Sequence, residues 1–231
     1  MARLPFANRR RPVLLGHRGV PALADGNTRA SFTAAVEAGL DGIETDIQRT
    51  KDGVLVIFHD FVVSFRLIAE MSFAELREQR PEIMTLEELL ELLEPYDDFL
   101  LNLELKSIPG LEDGRAYETA DVVASWAGRE RVWISSYDPV ALLKVRERQP
   151  QIPLGYLFRV YDTSKMADLL GIEAVHPEFP LVSEESVSGW RARSLAVATW
   201  TVNDAQKARE LAALGVDVIM GDDARALLAA R

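Results

Sequence analysis

Eight times along this chain a segment that favours a strand is followed by one that favours a helix, and that alternation limits the fold more than any other feature. Strands are expected at Val13–Gly16, Gly42–Gln48, Phe99–Lys106, Val132–Ser135, Leu154–Phe158, Ala174–His176, Ala196–Val202 and Val216–Met220. The segments between them carry helix start and stop signals. Asn27 or Thr28 caps a stretch with Phe32, Ala35 and Val36 at helical spacing, and Gly39 ends it. Thr85 with Glu88 three residues on reads as a capping box, and Asp138 before Pro139 opens another helix. Strand–helix repetition implies a parallel sheet, and eight units imply a closed (β/α)8 TIM barrel of the α/β class. After the second strand, Lys51-Asp52-Gly53 is a hairpin-type turn into Val54–Phe58, and residues 61–84 are the least regular stretch. A small insertion is therefore expected there. The 231 residues suit one barrel domain, 1–231, with residues 1–12 as an N-terminal arm.

Composition narrows the classes of partner. A chain 48% hydrophobic and 27% charged is an ordinary soluble globular one. It has no apolar run of the ~18 residues that a membrane helix needs, so no membrane insertion is expected. Arg3, Arg9, Arg10 and Arg11 precede no apolar stretch of leader length, which points to a cytoplasmic protein, with Arg9 to Arg11 read as a solvated tail. The net charge of −10 argues against nucleic acid, where a basic footprint is needed. It leaves an anionic small molecule open, because a few local cations can reverse the field inside one cleft. The absence of cysteine excludes disulfides and thiolate metal ligands.

Chemistry-bearing residues gather on the first three strands. On a strand successive side chains alternate, so Glu44 and Asp46 share one face while Ile43, Thr45 and Ile47 share the other. Two neighbouring carboxylates in an interior are costly unless a cation or donors compensate, and a divalent metal would do so. The alternative for Glu-x-Asp alone is a polar strand face turned to water. His17 and Arg18 end the first strand, His59 follows the hairpin, and Asn102, Glu104 and Lys106 alternate with Leu101, Leu103 and Leu105. Barrel sites are built where strands end, which brings these groups to one corner of one rim. His176 reads equally well as rim lining or packing, and Asp60 as a partner of His59 or a cap of the next turn.

The ordered set Gly16-His17-Arg18-Gly19, Asn27-Thr28, Gly42-x-Glu44-x-Asp46, Thr50-x-Asp52-Gly53, His59-Asp60, Leu103-Glu104-Leu105-Lys106 and Trp200-Thr201-Val202-Asn203 resembles the glycerophosphodiester phosphodiesterase family over nearly the whole chain. The resemblance implies metal-dependent hydrolysis of glycerophosphodiesters to glycerol 3-phosphate and an alcohol. It implies Glu44, Asp46 and Glu104 as ligands of a divalent ion, Mg²⁺ or Ca²⁺, and His17 and His59 as the acid–base pair. Arg18 and Lys106 would contact phosphate; Trp200, at a strand end, reads equally well as core or as packing against the alcohol. Hard oxygen ligands suit Mg²⁺ or Ca²⁺ better than Zn²⁺. Two departures stand out. Gly26 occupies the place of a family glutamate, with Asp25 one position earlier, and the segment after His59-Asp60 is short and lacks an Arg-Thr-Thr-Gly pattern. A shortened mouth prompts a rival reading, a phospholipase D-like enzyme of lysophospholipids. Gly26 prompts another, a silent barrel that binds phosphate esters.

Overall fold

The computed structural model describes residues 2–9, 12–108 and 110–231. Among these, eight parallel strands close into a barrel: β1 (Val13–His17), β2 (Gly42–Arg49), β3 (Leu100–Leu105), β4 (Val132–Ser136), β5 (Leu154–Phe158), β6 (Ala174–Pro177), β7 (Ala196–Thr199) and β8 (Val218–Gly221). Each pairs with the next, and β1 pairs with both β2 and β8, which leaves the barrel no open edge. Helix α1 (Arg29–Glu37) follows β1, and α2 (Phe73–Gln79) and α3 (Leu86–Leu93) follow β2. Then α4 (Arg115–Ser125), α5 (Pro139–Arg148), α6 (Lys165–Leu170), α7 (Glu184–Ala192), α8 (Ala205–Ala213) and α9 (Ala224–Leu228) follow β3 to β8 in turn. The expected (β/α)8 barrel is the fold. Among the described residues no helix is long and apolar enough to cross a membrane.

Local chemistry explains where the helices begin. Thr28, rather than Asn27, caps α1 by accepting from Ser31 N. Ser72 with Glu75 and Thr85 with Glu88 form reciprocal capping boxes, and Asp138 caps α5 with Pro139 in its first turn. Three strands are shorter than their patterns suggest, β3 and β8 slightly and β7 most. β7 ends at Thr199 instead of Val202, because the chain leaves the sheet there; Trp200 keeps an isolated bridge to Glu178.

The alternation on β2 and β3 sorts their side chains as the pattern requires. Ile43, Ile47, Leu101, Leu103 and Leu105 join the main core between sheet and helices, with Phe32, Leu89 and Leu142 from the helices. The lumen holds a second apolar cluster of Val13, Leu15, Leu100, Trp133, Ala198, Val218 and Met220. The N-terminal arm completes it. Phe6 is 0% exposed and its ring meets Trp133 edge-on, 5.1 Å between centroids and 72° between planes. The arm is thus a plug for the barrel, since lumen-facing apolar side chains need a cover on the side away from the site. The solvated-tail reading of Arg9 is also modified, as Arg9 lies 3.6 Å from Asp98; Arg10 and Arg11 are outside the described residues.

The insertion after β2 is a small antiparallel extension. Leu55–Ile57 runs back along β2 with Ile57 opposite Ile47, and Met84–Thr85 pairs with it. Val62–Val63 and Arg66–Leu67 make a separate two-stranded ribbon. Val56, Val63, Ile68, Met71, Leu76 and Ile83 form its own apolar base. Asp52 ties the hairpin turn to α2 by accepting from Phe73 N and the Thr50 hydroxyl.

Candidate active site

Strand register assembles the site. His17 lies beside Glu44 across the β1–β2 ladder, and Asp46 lies beside Glu104 across β2–β3. The four side chains therefore converge at one side of the C-terminal mouth. The two glycines flanking His17-Arg18 allow the tight turn that follows β1. A Cβ on Gly16 would stand 2.1 Å from the Gly19 carbonyl oxygen, and Gly19 has φ +85° with Ser31 Oγ 2.4 Å from where a Cβ would be. Arg18 itself takes φ 59°, and its N–H donates to the Glu44 carbonyl at 2.8 Å.

One oxygen each of Glu44, Asp46 and Glu104 lies within 4.8 Å of the others. Glu44 and Asp46 are 4% and 1% exposed. Burial, then the neighbouring Asp46 and Glu104 charges, pushes Glu44 well above the usual carboxylate range. Burial and Asp46 likewise push Glu104 up to about 7. Burial would raise Asp46 as well, but Lys106, Arg18 and a hydrogen bond from Asn27 outweigh it and hold Asp46 low. Arg18 Nε is 3.3 Å and Lys106 Nζ 3.4 Å from Asp46, Lys106 Nζ is 3.0 Å from Glu104, and Asn27 Nδ2 donates to Asp46 at 2.8 Å. Glu44 Oε1 is buried with no hydrogen-bond partner among the described residues. An orphaned carboxylate oxygen beside two other carboxylates fits a hard divalent cation, which would supply the missing charge. The acidic trio could hold such an ion.

Both histidines are braced by carboxylates. His17 Nδ1 is 2.7 Å from Asp222 Oδ1, and His59 Nδ1 is 2.7 Å from Asp60 Oδ1. The carboxylates accept, which places the Nδ1 protons and leaves Nε2 of each ring for chemistry. Asp222 is held in turn by Asn203, whose Nδ2 donates to it at 2.6 Å. Burial lowers His59 from its ordinary value, outweighing the opposite pull of Asp46 and Asp60.

The predicted residues come together in one cavity of about 550 Å³. His17, Arg18, Glu44, His59, Glu104, Lys106 and Trp200 all line it, and Asp46 lies just behind, nearly fully covered. Trp200 donates from its indole to the His176 carbonyl at 3.0 Å and meets Tyr137 edge-on. His176 serves both readings: its ring is fully buried, accepts from Trp133 Nε1 at 3.3 Å and rests where a Gly155 Cβ would come within 2.3 Å, and it also lines the cavity. Burial lowers it to about 3. Asp25, the candidate substitute for the family glutamate, points to solvent. A Cβ at Gly26 would lie 3.2 Å from Arg18 Cβ, so a side chain there would run alongside Arg18.

Sequence reasoning missed the supporting residues. Asn27 was read as a helix cap; the structure turns its side chain onto Asp46 and Thr45, which leaves capping to Thr28. The bond from Asp222 to His17 had no local signal, because the two are 205 residues apart. Tyr137 and Arg159, which also line the cavity, lie on loops outside any motif.

A closed parallel barrel whose mouth carries three carboxylates, two braced imidazoles and two cations defines a barrel enzyme equipped for proton transfer on an anionic ester. This chain belongs to the glycerophosphoryl diester phosphodiesterase family, whose profile matches residues 17–226. It is 31% identical to a glycerophosphodiester phosphodiesterase of Caldanaerobacter subterraneus subsp. tengcongensis, over 94% of this chain and 96% of that protein. A second relative of the same name, from Bacillus altitudinis, is 28% identical over 90% of this chain and 94% of its own. Among solved structures, an Oleispira antarctica phosphodiesterase in complex with the product sn-glycerol-3-phosphate is 28% identical, with a TM-score of 0.86 and 95% and 96% of the two chains covered.

Proposed function

We propose that this protein hydrolyses glycerophosphodiesters to glycerol 3-phosphate and an alcohol, acting as one barrel unit over the whole chain. The observation that carries the reading is the meeting of Glu44, Asp46 and Glu104 with His17 and His59 at one mouth. The family membership and the product bound to the Oleispira relative support the same chemistry.

In this reading Glu44, Asp46 and Glu104 hold a divalent cation, Mg²⁺ or Ca²⁺. Bound there, the ion would polarise a phosphoryl oxygen and stabilise the charge that builds on it. Arg18 and Lys106 bind the other non-bridging phosphoryl oxygen, sharing between Asp46 and the substrate the hydrogen bonds and charge they offer. Displacement at phosphorus needs a proton taken from the attacking oxygen and one given to the leaving alcohol oxygen. The Nε2 atoms of His17 and His59 serve these two needs, with Asp222 and Asp60 fixing their tautomers. Trp200 packs against the alcohol.

The test is a panel of glycerophosphodiesters and a lysophospholipid, assayed with Mg²⁺, Ca²⁺ or EDTA. Metal-dependent release of glycerol 3-phosphate supports the proposal. Release only from the lysophospholipid favours the phospholipase D-like reading, and silence throughout, despite binding of phosphate esters, favours the silent barrel. His17→Ala and His59→Ala should each lose about 10²–10⁴-fold in rate with the fold intact.

A further inference from the structure

The cavity extends beyond the catalytic cluster. β5 stands across the barrel from β1, and the loop after it carries Arg159, which lines the same space as His17, His59 and Glu104. Arg18 and Lys106 line it too, but both are paired with carboxylates, Arg18 with Asp46 and Lys106 with Asp46 and Glu104. The Arg159 side chain is exposed, and its guanidinium has no ion-pair or hydrogen-bond partner among the described residues. An unpaired arginine on an open surface is unremarkable; one facing a cleft whose other cations are neutralised is free to recognise an anion.

Tyr137 stands on the same wall. Its hydroxyl has no hydrogen-bond partner among the described residues, and its ring meets Trp200 at 6.1 Å and 82°. Tyr137 is 40% exposed; its partial burial and the charge of Glu104 raise its phenol while Arg159 pulls the other way, so it keeps its proton and serves as a donor. The wall away from the acidic trio thus offers a guanidinium, a hydroxyl and an aromatic surface.

We propose that Arg159 and Tyr137 form a subsite for a negatively charged alcohol, so that the preferred substrate is a glycerophosphodiester whose alcohol carries a phosphate or carboxylate group. The proposal rests on the phosphodiesterase reading above. With the phosphodiester at the β1–β3 side, Tyr137, Leu157, Arg159 and Trp200 line the rest of the cavity, on the β4–β7 side, and the alcohol is assigned to that space. A chain of net charge −10 repels an anionic substrate arm unless a cation waits where the arm ends, and Arg159 is that cation. Its fork matches a phosphate or carboxylate in two-point contact, while a neutral or cationic alcohol gains nothing from it.

Matched substrates test this. Glycerophosphoinositol is compared with its 4-phosphate, and glycerophosphoglycerol with glycerophosphoglycerate; the first pair adds a phosphate and the second a carboxylate. Wild-type kcat/KM should favour the charged member of at least one pair, by about 10-fold for a charge-assisted contact, and added salt should erode the advantage. Which pair responds tells phosphate from carboxylate. In Arg159→Ala the charged-to-uncharged ratio should fall about 10-fold through KM, in Arg159→Glu it should invert, and in Tyr137→Phe it should fall less. An unchanged ratio in Arg159→Ala, or a wild type that favours uncharged members of both pairs, overturns the subsite. Equal losses on both members also overturn it, because Arg159 would then touch the part they share. Titrating the same pairs into His59→Ala protein, followed by tryptophan fluorescence, reads affinity without turnover. Absence of catalysis with a retained charge preference in binding would sink the phosphodiesterase reading alone. Equal affinity within both pairs would sink the subsite alone.

Discussion

His17 and Asp222 are joined by a 2.7 Å hydrogen bond that links the end of the first barrel strand to the loop after the last. Barrel closure brings them together, since β1 and β8 are far apart in the chain and paired in the sheet. Asp222 is lowered because hydrogen bonds from His17 and Asn203 outweigh its burial, so it is a charged acceptor across the working pH range. It fixes the His17 ring with its proton on Nδ1.

Asp222→Asn should therefore impair His17 without removing it. An amide can present its NH2 group to Nδ1 and favour the wrong tautomer. The expected loss is about 10–100-fold in kcat, short of the full ~10²–10⁴-fold value of a proton-transfer group. KM and the melting temperature should stay near wild type. A kcat within twofold of wild type would show that His17 needs no brace.

Gly26 bears on whether the protein turns over at all. Three carboxylates, both histidines and the cations Arg18 and Lys106 remain at the mouth, so wild type is expected to be active. The absent glutamate should affect only the positioning of Arg18, whose stem lies 3.2 Å from a Gly26 Cβ. Gly26→Glu at saturating Mg²⁺ or Ca²⁺ should change kcat/KM by no more than the ~10–100-fold typical of a supporting residue. Asp25→Ala should change little, because Asp25 is exposed to solvent. A silent wild type with activity created by Gly26→Glu would decide for the silent barrel.

His176 makes the fold acid-sensitive. Its folded value of about 3 lies below the ordinary 6.5, so between these values the unfolded chain binds a proton that the folded one refuses. Stability is then fully present above pH 6.5 and is lost as pH falls toward 3. At about 1.4 kcal/mol per pKa unit the loss is roughly 4–5 kcal/mol. His176→Gln should flatten the fall in unfolding free energy between pH 7 and pH 4, measured by urea denaturation at each pH. An unchanged slope would show that the ring charges without leaving its site.

The N-terminal plug should matter for stability far from the chemistry. Phe6→Ala removes a fully buried ring packed on Trp133 and should cost about 3–5 kcal/mol. Thermal unfolding should shift down by several degrees while KM at low temperature holds. An unaltered melting temperature would mean that the lumen closes without the arm.

Pattern alone determined the barrel and the shared face of Glu44 and Asp46. Strand alternation put Glu44 and Asp46 on one face and Ile43 and Ile47 on the other, and those placements depend only on neighbours along the chain. Capping residues act within three or four positions, so Thr85–Glu88 and Asp138-Pro139 were equally legible. The ordered motifs carried the family because each is a short local run and their order along the chain can be read directly. Register and closure were decided by the tertiary structure. Asp46 beside Glu104, Asp222 beside His17, Phe6 under Trp133 and Gly155 beneath His176 are each contacts between segments far apart in the chain. No local preference encodes which long-range partner a side chain meets. The packing of the whole barrel chooses it, and the same packing aims Arg159 into the cavity from a loop that resembles no motif.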